Sequence, residues 1–298
     1  MSAQITKRST NYRRSAHRLA RSRTPAFHAD NRGSNPLGDA IEIKALHQEC
    51  NPADHILPPK DINLLTEATR AHGGHISSKV NPDGSTSPYE LNISYFNLLN
   101  DPDCGESMQV QVNRFLVSQA IPLAMAGIPG IYMHSLLGSQ NYTRGVAQTG
   151  HPRTINREKL QMQQVAAELN DPASLRHAVF QGYQQLLQQR ITHLAFHPNG
   201  KQRILRLNEA VFSLLRTAPN GSQSIVALHN VSPKAQTIVL DPAGWGLSNR
   251  GTFTNVLTGQ TYTLEYDAQM SLTLTPYQVA WLIWLPEGEH SNDQSDNP

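Results

Sequence analysis

Residues 117–138, VSQAIPLAMAGIPGIYMHSLLG, constrain the fold more than any other stretch of the chain. Through residues 109–126, Val112, Phe115, Leu116, Gln119, Leu123 and Ala126 recur at helical intervals, which predicts a helix presenting one apolar stripe to a partner. Gly127 ends that helix where a residue without a Cβ costs least, and Pro129 prevents it from resuming. Ile131, Tyr132 and Met133 are β-preferring and predict a short buried strand. Polar residues follow at once: His134, Ser135, Gly138, Ser139, Gln140 and Asn141. A helix that feeds a short apolar strand ending in polar residues is a unit of α/β layering, and in such units the chemistry sits past the carboxyl end of the strand.

The chain is long enough, at 298 residues, for one large domain or two smaller ones. No apolar run approaches the roughly 20 residues of a membrane span. Cys50 and Cys104 are the only cysteines and show no CxxC spacing, which suggests neither a disulfide framework nor a structural zinc site and suits a reducing cytoplasm. Seven Lys and Arg residues precede Asp30 with no acidic residue among them; the rest of the chain holds 18 basic against 23 acidic residues. Residues 1–55 are therefore expected to form a basic, mostly disordered leader, since such a composition buries too little surface to offset chain entropy, while its reading as a non-native leader rests only on a family resemblance that begins near residue 56. An electrostatic nucleic-acid arm and an organellar targeting peptide fit the same residues. No nucleic-acid fold motif accompanies the basic run, so no nucleic-acid partner is expected.

From residue 56 the pattern sharpens. Asp61 is placed to cap a short amphipathic helix carrying Ile62, Leu65, Ala68 and Thr69 and ending at Gly73 and Gly74. Asn81-Pro-Asp-Gly84 reads as a turn, and residues 87–96 alternate toward a strand or ordered loop entering the core. Residues 138–150 read as a polar loop at a pocket rim. Helices are expected at 158–169 and 174–192, the second burying Leu175, Val179, Tyr183, Leu186 and Leu187. His177, His193 and His197 form no metal-ligand spacing. Beyond residue 204 come eight short β runs (ILRL, VFSLLRT, SIVALHNV, QTIVL, TFTNVL, TYTLEY, SLTLT and QVAWLIWL) punctuated by turn residues, which predicts a small antiparallel β-sandwich. A polar tail occupies 287–298.

Gly127-Ile-Pro129-Gly-Ile-Tyr132 resembles the G-x-P-x-x-Y segment on the last barrel strand of the α-amylase clan, glycoside hydrolase family 13. HSLLGSQN, TINREKL, GGHISSKVNPDGSTSPYELNISYF and the β runs VFSLLRT, IVALHNVS and LTPYQVAWLIW are similar to the branch holding sucrose phosphorylase and its relatives acting on sucrose 6-phosphate and glucosylglycerate. The resemblance covers roughly 56–285 and implies an α/β plus all-β chain. It would hold the last part of a (β/α)8 TIM barrel in 56–200, followed by a small antiparallel β-sandwich in 201–286. It further implies that Tyr89 and Glu90 lie on a mobile loop shaping the acceptor side of a pocket, against the alternative that Tyr89 packs and Glu90 is solvated. Sucrose phosphorylases commonly carry Gln at the position of Glu90, so Glu90 leans toward glucosylglycerate or sucrose 6-phosphate. Arg157 matches the Arg of the branch's I-N-R segment, a sugar-subsite ligand, against the alternative of an ion pair at the helix that follows. A guanidinium suits the first role because its fixed fork holds a carboxylate and hydroxyls together.

Retaining glycoside chemistry needs two carboxyl groups about 5 Å apart. In the resembling branch the nucleophile, the acid/base and a stabilising His-Asp pair lie on strands four, five and seven. Upstream of Ile56 this chain reads Ala45-Leu-His-Gln-Glu-Cys50, and Asp54-His55 has the letters in the wrong order. No catalytic residue is therefore assigned. The expectation is a glycoside phosphorylase by descent, using sugar or sugar phosphate with inorganic phosphate as co-substrate and no cofactor or metal, in a truncated and inactive form. The alternative is a non-catalytic carbohydrate-binding pseudo-enzyme.

Overall fold

A computed structural model describes residues 58–265 and 269–287. The expectations for 1–55 and for the tail beyond Glu287 lie outside the described residues, as does Cys50. The chain divides into two compact units, one of residues up to 118 together with 129–182, the other of 119–128 and 183 onward.

The first unit opens with helix α1 (Pro59–Ala71), which starts at Pro58 with Pro59 in its first turn. Asp61 is therefore not the cap but a buried first-turn residue, its Oδ1 without a hydrogen bond. The chain reverses at Gly73 (φ +79°) and Gly74, where a Cβ would stand 2.8 Å from both Ile93 Cβ and Thr69 Cγ2. Strands β1 (His75–Val80) and β2 (Thr86–Asn92) pair antiparallel across the Asn81–Gly84 turn, closed by Gly84 N–H donating to Asn81 O at 3.0 Å. Ser94 caps α2 (Tyr95–Leu99), its hydroxyl accepting from Asn97 N–H. Helix α3 (Met108–Ala124) is the central helix expected from the sequence. It is buried without a break from Val117 to Ile121, so it is a core helix rather than one with a single apolar stripe, and Ala126 lies beyond it and is exposed.

The structure corrects the expected strand at 131–133. Ile131 and Tyr132 are irregular backbone, Met133 opens the short helix α4 (Met133–Leu136), and all three side chains are exposed. β propensity describes a side chain's fit to a pleated, half-buried surface. Among the described residues this segment joins no sheet, and without a ladder to receive its N–H and C=O groups no strand forms. The loop expected at 138–150 is also corrected: Thr143–Thr149 forms α5, terminated by Gly150 at φ +67°. A 3-10 turn (Pro152–Asn156), α6 (Met162–Asn170) and α7 (Leu175–Thr192) follow. On α7, Val179, Tyr183 and Leu186 are buried as expected.

All eight β runs form strands: β3 (Lys201–Asn208), β4 (Val211–Thr217), β5 (Ser224–Asn230), β6 (Gln236–Leu240), β7 (Gly251–Asn255), β8 (Thr261–Leu264), β9 (Met270–Leu274) and β10 (Val279–Pro286). A six-stranded antiparallel sheet in the order β3-β4-β5-β10-β7-β8 faces the β6-β9 pair. Leu215, Val226, Leu282 and Trp284 from the large sheet share one core with Ile238, Leu240, Leu272 and Leu274 from the pair. The opposite face of the large sheet is also covered: Trp281 packs on Phe196 with ring centroids 4.6 Å apart. Strands covered on both faces read as continuous apolar runs rather than alternating ones, which is why β4 and β5 are buried almost throughout. Arg216, fully buried, donates to Ala124 O at 2.8 Å and His197 O at 2.7 Å; Arg190 donates to Gly127 O at 2.6 Å and also to Leu123 O. Burial and the nearby Arg190 cation push the Arg216 guanidinium down to about 10. Together the two cations satisfy carbonyls at the C-terminal end of α3, where a helix favours positive charge.

Candidate functional site

A groove of about 570 Å³ lies within the first unit, between the β1-β2 hairpin and the 3-10 turn. Ser77, Tyr89 and Glu90 line it from the hairpin; His151, Pro152, Arg153, Thr154 and Arg157 line it from the turn. The three residues singled out by sequence, Tyr89, Glu90 and Arg157, thus come together although 67 positions separate Glu90 from Arg157.

Local backbone chemistry explains how neighbouring Tyr89 and Glu90 serve one groove. In the hairpin Ser77 pairs with Glu90 but Ser78 pairs with Pro88, so Tyr89 is an extra, unpaired residue. Strict alternation would send Tyr89 and Glu90 to opposite faces; a bulge breaks it and re-aims side chains. Pro88, which lacks an N–H, is the sequence signal for that bulge. Tyr89 is 63% exposed, so the alternative that it packs is not the arrangement observed.

Glu90 is not simply solvated either. Arg153 Nε donates to Glu90 Oε2 at 2.7 Å and Arg153 Nη2 donates to Oε1 at 2.9 Å, a two-pronged guanidinium–carboxylate pair. The pair holds the Arg153 guanidinium above its ordinary pKa, first through the hydrogen bond and then through charge. Sequence reasoning missed Arg153; its signal was a guanidinium four positions before Arg157 in the same H-P-R-T-I-N-R run. Arg157 makes no ion pair among the described residues, and its backbone N–H donates to Thr154 O at 3.0 Å. Tyr132, the tyrosine of the G-x-P-x-x-Y segment, donates its hydroxyl hydrogen to Asn156 O at 2.8 Å and so braces the turn that carries Arg153 and Arg157.

The polar residues after Tyr132 do structural work instead. His134 Nδ1 and Ser139 Oγ are 3.0 Å apart, Arg176 Nη1 donates to that same oxygen at 3.1 Å, and burial lowers the His134 pKa. Asn141 ties the hairpin's neighbours together, donating to His72 O at 3.0 Å and accepting from Ser94 N–H at 2.8 Å. Among the described residues no group of three or more His, Cys, Asp or Glu is placed to hold a metal ion, and no helix is long and apolar enough to cross a membrane.

Comparison with known proteins gives this geometry a context. No family model matches the chain. The α-amylase of Geobacillus thermoleovorans, solved with acarbose, superposes with a TM-score of 0.50 at 13% identity over 66% of this chain and 37% of that one. The described residues therefore share the fold of the corresponding part of that α-amylase, with an antiparallel β domain at the carboxyl-terminal end. In sequence the chain is similar to two glucosylglycerate phosphorylases. It is 41% identical over 234 residues to a glucosylglycerate phosphorylase of Spirochaeta thermophila and 37% identical over 232 residues to one of Allomeiothermus silvanus. Each match covers 78% of this chain, and the chain spans 39% and 38% of the two relatives' lengths. In sequence the chain is thus similar to part of these glucosylglycerate phosphorylases, about two fifths of their length.

Proposed function

We propose that this chain supplies the acceptor-side binding groove of a retaining glycoside phosphorylase. Such an enzyme passes glucose from glucosylglycerate, sucrose or sucrose 6-phosphate to inorganic phosphate, giving glucose 1-phosphate. The observation that carries the reading is the convergence of Tyr89, Glu90 and Arg157 on one groove in a chain 41% identical to a glucosylglycerate phosphorylase. Hydroxyl, carboxylate and guanidinium groups in one open groove are the donors and acceptors a sugar with an anionic group requires. Tyr89, Glu90 and Arg157 are the substrate-binding residues in this reading.

The polypeptide alone does not turn substrate over. Of the groove-lining side chains, Glu90 is the single carboxylate, and Arg153 holds both of its oxygens. Retention needs a second carboxyl group about 5 Å away to form and release the glucosyl-enzyme. The groove residues work with a barrel portion in 56–200 and a supporting β domain in 201–286, in the cytoplasm, with no cofactor beyond phosphate as co-substrate. The test is isothermal titration of the purified chain with glucosylglycerate, sucrose and sucrose 6-phosphate. Binding that weakens in Arg157→Ala supports the groove; titrations that show no heat with any of the three sink it.

A further inference from the structure

The pair Glu90–Arg153 is poorly explained as a stabilising contact. The Arg153 side chain is 55% exposed and that of Glu90 30% exposed. Ion pairs in such surroundings add little to stability, because water screens both charges. Yet the geometry is the two-pronged one in which a guanidinium is most selective for a planar two-oxygen anion. The pair also stands inside the groove rather than on an outer face, with Arg157 on the same wall. Arg153 gives Glu90 only its Nε and Nη2 edge, and its Nη1 has no partner among the described residues. The backbone of Glu90 stays paired with Ser77 beside the Tyr89 bulge, so its carboxylate can swing off Arg153 by side-chain rotation without unzipping the hairpin.

We propose that Arg153 is the specificity-determining cation of the groove. It docks the carboxylate of a small hydroxy-acid ligand through its guanidinium fork; Glu90 holds that fork and, once displaced, turns to the ligand's hydroxyl groups, a contact that Gln also makes. The inference rests on the reading of the groove as an acceptor-side binding site and adds the residue that selects the ligand class. Charge balance favours it: Glu90 neutralises one guanidinium, so displacing it by a ligand carboxylate keeps Arg153 paired while Arg157 faces the resulting negative charge. A neutral acceptor has nothing to offer in exchange for Glu90 and is rejected, because the ion pair would be broken without replacement.

The full chain is titrated with D-glycerate, glycerol, inorganic phosphate and glucosylglycerate, following amide shifts of the hairpin and the 3-10 turn by NMR. Arg153→Gln weakens D-glycerate at least about tenfold, the loss expected for charge-assisted hydrogen bonds. Glu90→Gln tightens it about two- to fivefold, matching the strength of the exposed pair it releases. The exchanged double variant, Glu90→Arg with Arg153→Glu, keeps an ion pair and still fails to bind. The proposal is overturned if Arg153→Gln binds D-glycerate like the parent chain. It is equally overturned if both single variants weaken binding and the exchanged variant restores it, which is the signature of a merely structural pair. Phosphate depending on Arg153 as strongly as D-glycerate would overturn the assignment to carboxylate. Glucosylglycerate binding that ignores Arg153 overturns this inference and leaves the groove reading standing; no glucosylglycerate binding by any variant overturns both.

Discussion

The segment around Ile131 and the strand β10 are near-equals in composition, IYM against AWLIW, and they fold differently. β10 pairs with β5 through six residues and with β7 through five, and Trp281 and Leu282 between them are fully buried. Ile131, Tyr132 and Met133 have the same β preference but join no sheet among the described residues, and their side chains are 37%, 52% and 56% exposed. The difference lies in the neighbours rather than in the residues. An antiparallel strand finds its partners through short turns within the same hundred residues, whereas a parallel barrel strand depends on partners reached through long crossovers.

Substitutions that remove apolar side chains from the two regions break this comparison most sharply. Trp281→Ala is expected to destabilise the β domain by about 3–5 kcal/mol, because the site is covered from both faces and cannot collapse onto the gap. All three tryptophans, Trp245, Trp281 and Trp284, lie in the β domain, so urea unfolding followed by the fluorescence of the remaining two reads this loss directly. His229 gives the next largest effect. It is fully buried on β5, its Nδ1–H donating to Phe212 O at 3.0 Å and its Nε2 accepting from Trp281 Nε1–H at 3.3 Å. That arrangement admits only the neutral ring, and burial pushes its pKa down to about 4 from 6.5. The unfolded chain takes up the proton first as pH falls, so the stability held above 6.5 is lost progressively between 6.5 and 4, about 3 kcal/mol in all. Urea midpoints at pH 7.5, 5.5 and 4.5 should fall in that order, and His229→Gln should flatten the part of the slope due to this residue.

In the first unit, Gly74→Ala is expected to cost about 1–3 kcal/mol, because its Cβ would press on Ile93 and Thr69 at 2.8 Å beside the hairpin. Thermal melting by circular dichroism measures it. Ile131→Ser should change stability by no more than about 0.5 kcal/mol, the scale of an exposed site. A loss as large as that of Trp281→Ala would mean that this segment is packed after all.

The same contrast explains what the sequence revealed. The eight β runs were legible because the turns between them, such as Pro219-Asn-Gly221 and Thr258-Gly259, and their partners lie close in the chain. The core helix was legible from its period, although the burial of Ser118 and Ala120 on its other sides was not. The helix Thr143–Thr149 escaped because its polar residues carry a loop composition, and only Gly150 in the left-handed region marks its end. In the groove, Tyr89, Glu90 and Arg157 could be named from the resemblance. Arg153 could not, since its role depends on a contact spanning 63 residues and on a bulge that Pro88 signals only in hindsight.

The central claim is that the chain holds a sugar-binding groove with a single, occupied carboxylate and so binds without turning over. Phosphorolysis by the purified chain tests it most directly, with glucosylglycerate, sucrose and sucrose 6-phosphate each offered alongside phosphate and binding followed in the same samples. The account predicts bound glucosylglycerate, dependent on Arg157, and no glucose 1-phosphate. Release of glucose 1-phosphate would contradict it and would require a second carboxylate within about 5 Å of a bound sugar.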